Sequence, residues 1–257
     1  MSRNHDAPRL PLVQAALNGG TTRAAHPAAP MTASDFVRDA IAVVAAGAGA
    51  IHLHPRDPSG AETVDPAIVN DLVARVREAA NVPVGVTTGE WIEPDLERRL
   101  AKIRAWTAPD HASVNLSEGG AIPTMEALLA AGVGIEAGLA SVADVDLLAS
   151  SGFAGRVTRV LVEPYADEHD HDVSAVLTAI GAIHAALDRH SIAAPRLQHS
   201  EGTAAWPALR DALAHGWDTR IGLEDSLLDE EGTRIEDNAA LVTAAIAIRD
   251  GIDTPPR

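Results

Sequence analysis

Residues 31–47, with the sequence MTASDFVRDAIAVVAAG, and the run AIHLHPRD at 50–57 form the unit that decides the fold. In the first run apolar residues from Phe36 onward recur at helical spacing, and Thr32 with Asp35 has the spacing of a capping box. The second run begins with apolar residues, as a buried strand does. A helix followed closely by a strand is therefore predicted here.

The same alternation extends along the chain in both directions. It begins with the apolar run PLVQAALN at 11–18 and ends with a helical pattern at 238–251, which gives eight strand–helix units with short connections. Strictly alternating units predict a parallel sheet with right-handed crossovers, and eight of them suit closure into a barrel. We therefore expect an α/β fold, a single (β/α)8 TIM barrel domain over residues 1–257, with residues 1–10 as a flexible N-terminal segment. An open doubly wound sheet is the alternative, although no GxGxxG motif follows the first strand.

Composition limits the classes of function. The chain has 257 residues, of which 46% are hydrophobic, and a formal net charge of −16 from 20 Lys and Arg against 36 Asp and Glu. This balance argues against nucleic acid and an anionic membrane surface as partners. The chain contains no cysteine, which excludes disulfides and thiolate metal sites. The N-terminus lacks a signal-peptide core and no apolar run is long enough to span a membrane, so we expect a cytoplasmic protein.

Polar side chains are found where the predicted strands end. Active sites of (β/α)8 barrels lie at the carboxyl ends of the strands, so we expect these side chains to meet at one rim. Any one of these residues could equally be a solvated loop side chain, so it is the series as a whole that indicates a functional site. In strand order the series comprises Asn18, His52, His54, Arg56, Thr87, Thr88, Asn115, Glu136, Glu163, His199, Glu201, Glu224 and Asp225.

His52 and His54 have the clearest chemistry in this series. Side chains alternate along a strand, so both imidazoles point to the same face, and on an inward face they can bind one metal ion. Without cysteine, a third ligand must be an oxygen or nitrogen from another strand, and two histidines with one carboxylate form a typical catalytic zinc set. A second pair, His169 and His171, stands among acidic residues in a predicted loop, where we do not expect a functional metal site.

Longer motifs resemble one known family. The runs AGAGAIHLHPRDPSG at 46–60 and RIGLEDSL at 220–227 resemble the β-keto acid cleavage enzymes. Supporting stretches are VGVTTGEW, ASVNLSE, GIEAGL, RVLVEP and TAAWPAL, in matching order from about residue 12 to residue 249. The resemblance implies a zinc-dependent (β/α)8 barrel that condenses a β-keto acid with acetyl-CoA and releases acetoacetate and a new acyl-CoA. It also implies a homo-oligomer, usually a homotetramer.

The resemblance further implies roles for individual residues. Zinc would be bound by His52, His54 and Glu224. Arg220 and Asp225 would be catalytic or would position the substrate. The residues expected at the substrate are Asn18, Thr21, Arg56, Thr87, Thr88, Ser113 and Asn115, with Glu136 beside them as a further catalytic group.

The chemistry of a β-keto acid is compatible with these roles. Its keto and carboxylate oxygens can chelate zinc, which stabilises the enolate left when the α-carbon loses a proton. A nearby carboxylate can take that proton, and we assign this step to Asp225 with Glu136 in reserve. Arg220 lies four residues before Glu224 on the same predicted strand, so its guanidinium can clamp a carboxylate or orient Asp225.

Two positions depart from the family pattern. Thr21 stands where some members have an acid suited to an amino-bearing substrate, which favours a keto acid without a cationic group. Glu90, followed by Trp91, replaces a glycine, and we expect its side chain to point to solvent or to the loop. Two other functions stay open: a metal-dependent hydrolase on the same barrel, whose histidine pair usually lies on the first strand, and a non-catalytic metal- or ligand-binding barrel.

Overall fold

The computed structural model describes residues 9–164 and 172–252 of the chain. Within these residues eight strands alternate with eight α-helices, and the strands form a closed barrel in sequential order. The strands are β1 (Val13–Ala16), β2 (Ala50–Leu53), β3 (Val84–Thr87), β4 (His111–Asn115), β5 (Gly134–Leu139), β6 (Arg159–Val162), β7 (Arg196–Gln198) and β8 (Asp218–Ile221). The helices are α1 (Ala33–Ala45), α2 (Pro66–Ala80), α3 (Leu96–Ile103), α4 (Ala121–Ala131), α5 (Val142–Ser150), α6 (Val173–Arg189), α7 (Ala205–Ala214) and α8 (Asn238–Gly251), and a short 3-10 helix, Gly202–Ala204, precedes α7.

The first strand closes the barrel by pairing in parallel with both β2 and β8. Gln14 is in register with Ala50 on one side and with Arg220 on the other. Every strand therefore has two neighbours, and the barrel has no free edge. This topology confirms the predicted (β/α)8 barrel and excludes the open sheet.

Short sequence signals set where the helices begin. Thr32 and Asp35 form the expected capping box at the start of α1, in which each side chain accepts from the backbone of the other residue. The side chain of Asp65 caps α2 directly ahead of Pro66, which needs no backbone donor at that position. These contacts satisfy N–H groups that have no partner within the helix.

Side chains alternate between the barrel interior and the layer of helices. On β2, Ile51 and Leu53 are fully buried in the hydrophobic core, and His52 between them points the other way. The interior is crowded even where it is polar, since a Cβ on Gly85 of β3 would lie 2.3 Å from Nε2 of His111 on β4. A glycine at that position leaves room for the imidazole over the neighbouring strand.

The chain termini are only partly described. Of the N-terminal segment, residues 9 and 10 are described, and Arg9 donates to both carboxylate oxygens of Asp218 at 2.7 and 2.9 Å. Residues 1–8 and the pair His169 and His171 lie outside the described residues. None of the described helices combines the length and the apolar character needed to cross a bilayer.

Candidate metal centre and active site

Three potential metal ligands meet at the carboxyl end of the strands. His52 lies in β2, His54 directly follows it, and Glu224 follows β8. Nε2 of His52 is 3.7 Å from Oε2 of Glu224, and Nε2 of His54 is 3.6 Å from Oε1. One donor atom from each of the three residues lies within 4.8 Å of the other two. Two imidazoles and a carboxylate at this spacing can surround one cation.

The position of Glu224 depends on close backbone packing. The sequence predicted this residue on strand 8, but β8 ends at Ile221, and Glu224 lies in the turn that follows. A Cβ on Gly222 would lie 1.8 Å from the carbonyl oxygen of Ala16, so only glycine lets the two segments approach this closely. The N–H of Glu224 then donates to that same oxygen at 3.3 Å, which places the carboxylate above β1 and beside β2.

The hydrogen bonds around the three residues fit a bound cation. Oε2 of Glu224 is buried and has no hydrogen-bond partner in the described part of the chain. Nδ1 of His54 contacts the carboxylate of Glu62, so its Nε2 is the atom that faces Glu224. Burial raises the pKa of Glu224, but Arg220 and the two histidines outweigh burial and hold it well below its usual range. Two nitrogens and an ionised carboxylate suit a divalent ion of the zinc type.

A line of alternating charges leads away from this cluster. Nη2 of Arg220 donates to Oε1 of Glu224 and to Oδ1 of Asp225, both at 2.8 Å. His199 follows Asp225 in the line, and its Nε2 is 3.1 Å from Oε2 of Glu163. Burial and Arg220 lower the pKa of His199, but its two carboxylate neighbours outweigh them and raise it to about 9. The imidazole is therefore a cation at neutral pH, held between two anions.

A cavity of about 850 Å³ opens onto the three ligands and Arg220. Its wall is rich in carboxylates, which besides Glu224 are Glu90, Glu118, Glu163 and Glu201. Although Glu201 is exposed to the cavity, the surrounding protein withdraws its carboxyl from bulk water, and Asp225 adds a like charge. Both effects raise the pKa of Glu201 to about 7. This carboxyl can exchange a proton near neutral pH.

The seven predicted substrate contacts fall into two groups. Thr87, Ser113 and Asn115 line the cavity, as a substrate contact must. The other four are not among the lining residues, and their polar groups bind backbone groups of neighbouring segments instead. These are Asn18 on the backbone of His54, Thr21 on the carbonyl oxygen of Leu223, Thr88 on the carbonyl oxygen of Ser113, and Arg56 on the carbonyl oxygens of Gly19 and Thr21.

Glu136 does not line the cavity. The sequence placed it at the end of strand 5, but β5 continues to Leu139, so Glu136 lies in mid-strand within the barrel. Its Oε1 accepts from Nε of Arg159, the residue in register with it on β6. Burial raises the pKa of Glu136, but Arg159 and His111 outweigh burial and lower it to about 2. This position argues against the reserve role of Glu136 as a base.

Sequence reasoning missed two loop carboxylates, Glu62 and Glu118. Glu62 contacts His54, and the turn sequence DPSG at 57–60, which reverses the chain after His54, was a usable signal for it. Glu118 accepts from the side chain of Asn115 at 2.7 Å and from the backbone of Glu90 at 2.8 Å, and no motif marks it. The side chain of Glu90 is exposed, as expected, but it also lines the cavity.

The sequence is similar to one protein family over most of its length. The sequence profile of the BKACE family, described as beta-keto acid cleavage enzyme, matches residues 11–141 and 170–257. The 3,5-dioxohexanoate:acetyl-CoA acetone transferase of Paraburkholderia graminis is 26% identical over 271 residues, which cover 90% of this chain and 86% of that protein.

Solved structures show the same barrel at low sequence identity. ObcA in a binary complex with oxaloacetate matches with a TM-score of 0.68 and 16% identity, over 86% of this chain and 63% of that one. The chain thus spans less than two thirds of the length of ObcA. An N-acetylmannosamine-6-phosphate 2-epimerase from Clostridium perfringens matches with a TM-score of 0.54 and 13% identity, over 88% of this chain and 94% of that one. At these identities the likeness extends to the fold alone.

Proposed function

Because the chain belongs to the β-keto acid cleavage enzyme family, we propose that it cleaves a β-keto acid with zinc and acetyl-CoA, yielding acetoacetate and a new acyl-CoA. The observation that carries this proposal is a single cavity that brings His52, His54 and Glu224 together beside Arg220. The relative from Paraburkholderia graminis is named for its use of acetyl-CoA, which supports the same co-substrate here.

The chain's own residues would hold the metal ion and the charges around it. His52 and His54 would bind zinc through nitrogen and Glu224 through its carboxylate. When bound, zinc supplies a Lewis acid that polarises a carbonyl oxygen and stabilises negative charge on it. Arg220, which is 3% exposed, holds the carboxylate of Glu224 in place, and its guanidinium at the cavity wall can attract the carboxylate of the substrate.

Asp225 is the group that we assign to proton transfer. Its Oδ1 accepts from Arg220 at 2.8 Å, whereas Oδ2 has no hydrogen-bond partner among the described residues. One oxygen is thus fixed, and the other is free to take a proton from the carbon between the keto and carboxylate groups. Glu201 is the alternative base, because it lines the cavity and Asp225 does not.

The bonds of the reaction balance without an external oxidant or reductant. After loss of its proton, the central carbon of the keto acid attacks the thioester carbon of acetyl-CoA, and CoA leaves as a thiolate. The thiolate then attacks the original keto carbon, and the bond between that carbon and the central carbon breaks. The electron pair returns to the central carbon, which regains the proton. The products are acetoacetate and an acyl-CoA that carries the remainder of the substrate.

A panel of β-keto acids, including 3,5-dioxohexanoate, tests the proposal when each is incubated with and without acetyl-CoA. With acetyl-CoA labelled in its acetyl carbons, mass spectrometry should find the label in acetoacetate and none in the new acyl-CoA. A metal-dependent hydrolase would release product without acetyl-CoA, and a non-catalytic barrel would release none. Size-exclusion chromatography with light scattering would test the homotetramer that we propose from the family.

A further inference from the structure

Glu62 reaches His54 because the chain reverses after β2. The N–H of Asp57 donates to the carbonyl oxygen of Ala61 at 2.8 Å, and the N–H of Thr63 donates to that of Pro55 at 2.9 Å. These bonds close a short antiparallel hairpin, which returns the chain to the rim of the barrel. Glu62 lies on the returning arm, and its Oε1 contacts Nδ1 of His54.

The second oxygen of Glu62 is held by Trp91. The indole Nε1–H donates to Oε2 of Glu62 at 3.2 Å. The indole also stacks beside His54, with the ring centroids 6.3 Å apart and the planes at 28°. A Cβ on Gly89 would lie 2.3 Å from the indole, so glycine at that position makes room for the ring. Each carboxylate oxygen of Glu62 thus contacts a ring nitrogen, Oε1 that of His54 and Oε2 that of Trp91.

We propose that Glu62 and Trp91 are positioning residues that fix the His54 imidazole as a metal ligand. The inference rests on the proposed binding of a metal ion by His54. An imidazole that donates Nδ1–H to a carboxylate keeps the lone pair of Nε2 for the metal, and it cannot rotate without losing that bond. Trp91 orients the carboxylate and stacks beside the imidazole at the cavity wall.

The two histidines differ in this respect. His52 is 1% exposed, and its Nδ1 has no hydrogen-bond partner among the described residues, so packing alone orients its ring. His54 lines the cavity as His52 does, but its ring is oriented by a carboxylate that itself is only partly buried. The metal affinity should therefore depend on Glu62, a residue that does not contact the metal.

Zinc affinity of the metal-free protein, measured by competition with a chromophoric chelator, tests this role. Glu62→Gln keeps an acceptor but loses the charge, and Glu62→Leu loses both, so affinity should fall in that order, by about 10- to 100-fold overall. Trp91→Phe keeps an aromatic ring but loses the N–H donor, and a fall in zinc affinity of about 2- to 10-fold is expected. Glu118→Gln removes a charge of the same sign from the cavity wall without touching His54, and its zinc affinity should stay within about 3-fold of that of the unaltered protein.

Cobalt substitution gives a readout that a general loss of stability would not produce. If the His54 ring is no longer fixed, the visible absorption bands of bound cobalt should shift in Glu62→Leu and stay unchanged in Glu118→Gln. The inference would be overturned if Glu62→Leu, with an intact circular dichroism spectrum, had the zinc affinity and the cobalt spectrum of the unaltered protein. If Glu62→Leu does not fold, the result for Trp91→Phe decides. Failure of the unaltered protein to bind zinc would instead refute the proposed metal site, and the inference with it.

Discussion

Nδ1 of His199 lies 3.2 Å from Oδ1 of Asp225, the same oxygen to which Arg220 donates at 2.8 Å. The contact with His199 is an ion pair between the imidazolium and the buried carboxylate. One buried carboxylate oxygen therefore faces two cations, and Glu163 and Glu224 flank those cations on their outer sides. The result is an ordered series of five charges, in which neutralising one member leaves its neighbours unbalanced.

The charge on His199 predicts a pH dependence. Its pKa in the folded protein, about 9, lies above the ordinary 6.5, so its contribution to stability is complete below pH 6.5 and is lost as the pH rises to about 9. A neutral imidazole no longer balances the charges of Asp225 and Glu163, so we expect kcat/KM of the unaltered protein to fall as the pH approaches about 9. His199→Gln should lack that decline and should be slower at neutral pH by about 10- to 150-fold, the effect of losing a charged partner. Identical pH profiles would contradict the assignment.

Asp225→Asn should bind zinc and substrate but lose turnover, because the substitution keeps the shape and removes the basic carboxylate. We expect kcat to fall by about 10²- to 10⁴-fold, as for the loss of a general base, with KM little changed. Glu201→Gln is the matched test in the cavity wall and should have the smaller effect. If Glu201→Gln is instead the more severely impaired variant, the proton is transferred by Glu201.

His54→Ala should lose the metal ion, since it removes one of three ligands. We expect about one zinc per chain in the unaltered protein and a small residual fraction in the variant after dialysis, measured by plasma mass spectrometry. His190→Ala is a suitable control, because His190 is partly exposed and pairs with Asp146 away from the cavity. A His169→Ala/His171→Ala double variant should also retain zinc. Loss of metal from that double variant and retention in His54→Ala would reverse the assignment.

Glu90 and Glu118 should oppose anionic substrates, because both line a cavity that must admit a keto acid and a CoA thioester. We expect Glu90→Gln/Glu118→Gln to raise kcat/KM for a plain alkyl β-keto acid several-fold at low ionic strength, with a smaller gain in high salt.

An amino-substituted analogue separates this effect from a general change in the cavity. The hydroxyl of Thr21 donates to the carbonyl oxygen of Leu223, so Thr21 itself offers little basis for choosing between substrate side chains. The preference for an uncharged side chain stays a prediction, now tested through Glu90 and Glu118. The double variant should favour the alkyl acid over its amino analogue more strongly than the unaltered protein does. Equal responses of both compounds would show that these carboxylates do not contact the substrate side chain.

The sequence predicted features that follow from periodicity. Alternation of strands and helices gave the barrel, and the two-residue spacing of His52 and His54 placed both on one face. Glu224 was reached through the family resemblance, and its exact place depends on the backbone approach at Gly222. A periodic pattern predicts which face of a strand or helix a side chain lies on. It is therefore reliable for ligands that lie in a strand or directly next to one.

The structure differs from the expected geometry where the direction of a side chain depends on distant parts of the chain. Glu136 was grouped with the residues at the strand ends, but β5 continues three residues beyond it to Leu139, and its side chain lies in the barrel interior rather than at the cavity wall. Asn18 and Arg56 are at the rim but bind backbone, which their residue types alone do not reveal. Glu62 lies on the returning arm of a local turn, and the sequence marks that turn without showing that its return brings a carboxylate to His54.

The glycine contact between Gly222 and Ala16 has a consequence for how the protein is made. His52 and His54 are synthesised before Glu224, so a ribosome-bound chain that has not yet completed β8 holds an unfinished site. A chain in this state has two imidazoles and no carboxylate, and it should bind zinc weakly. Tight binding of the metal ion would then require that β1 and β8 have already paired. The seam between them, rather than any helix, would be the segment whose amide exchange slows most when the metal is added.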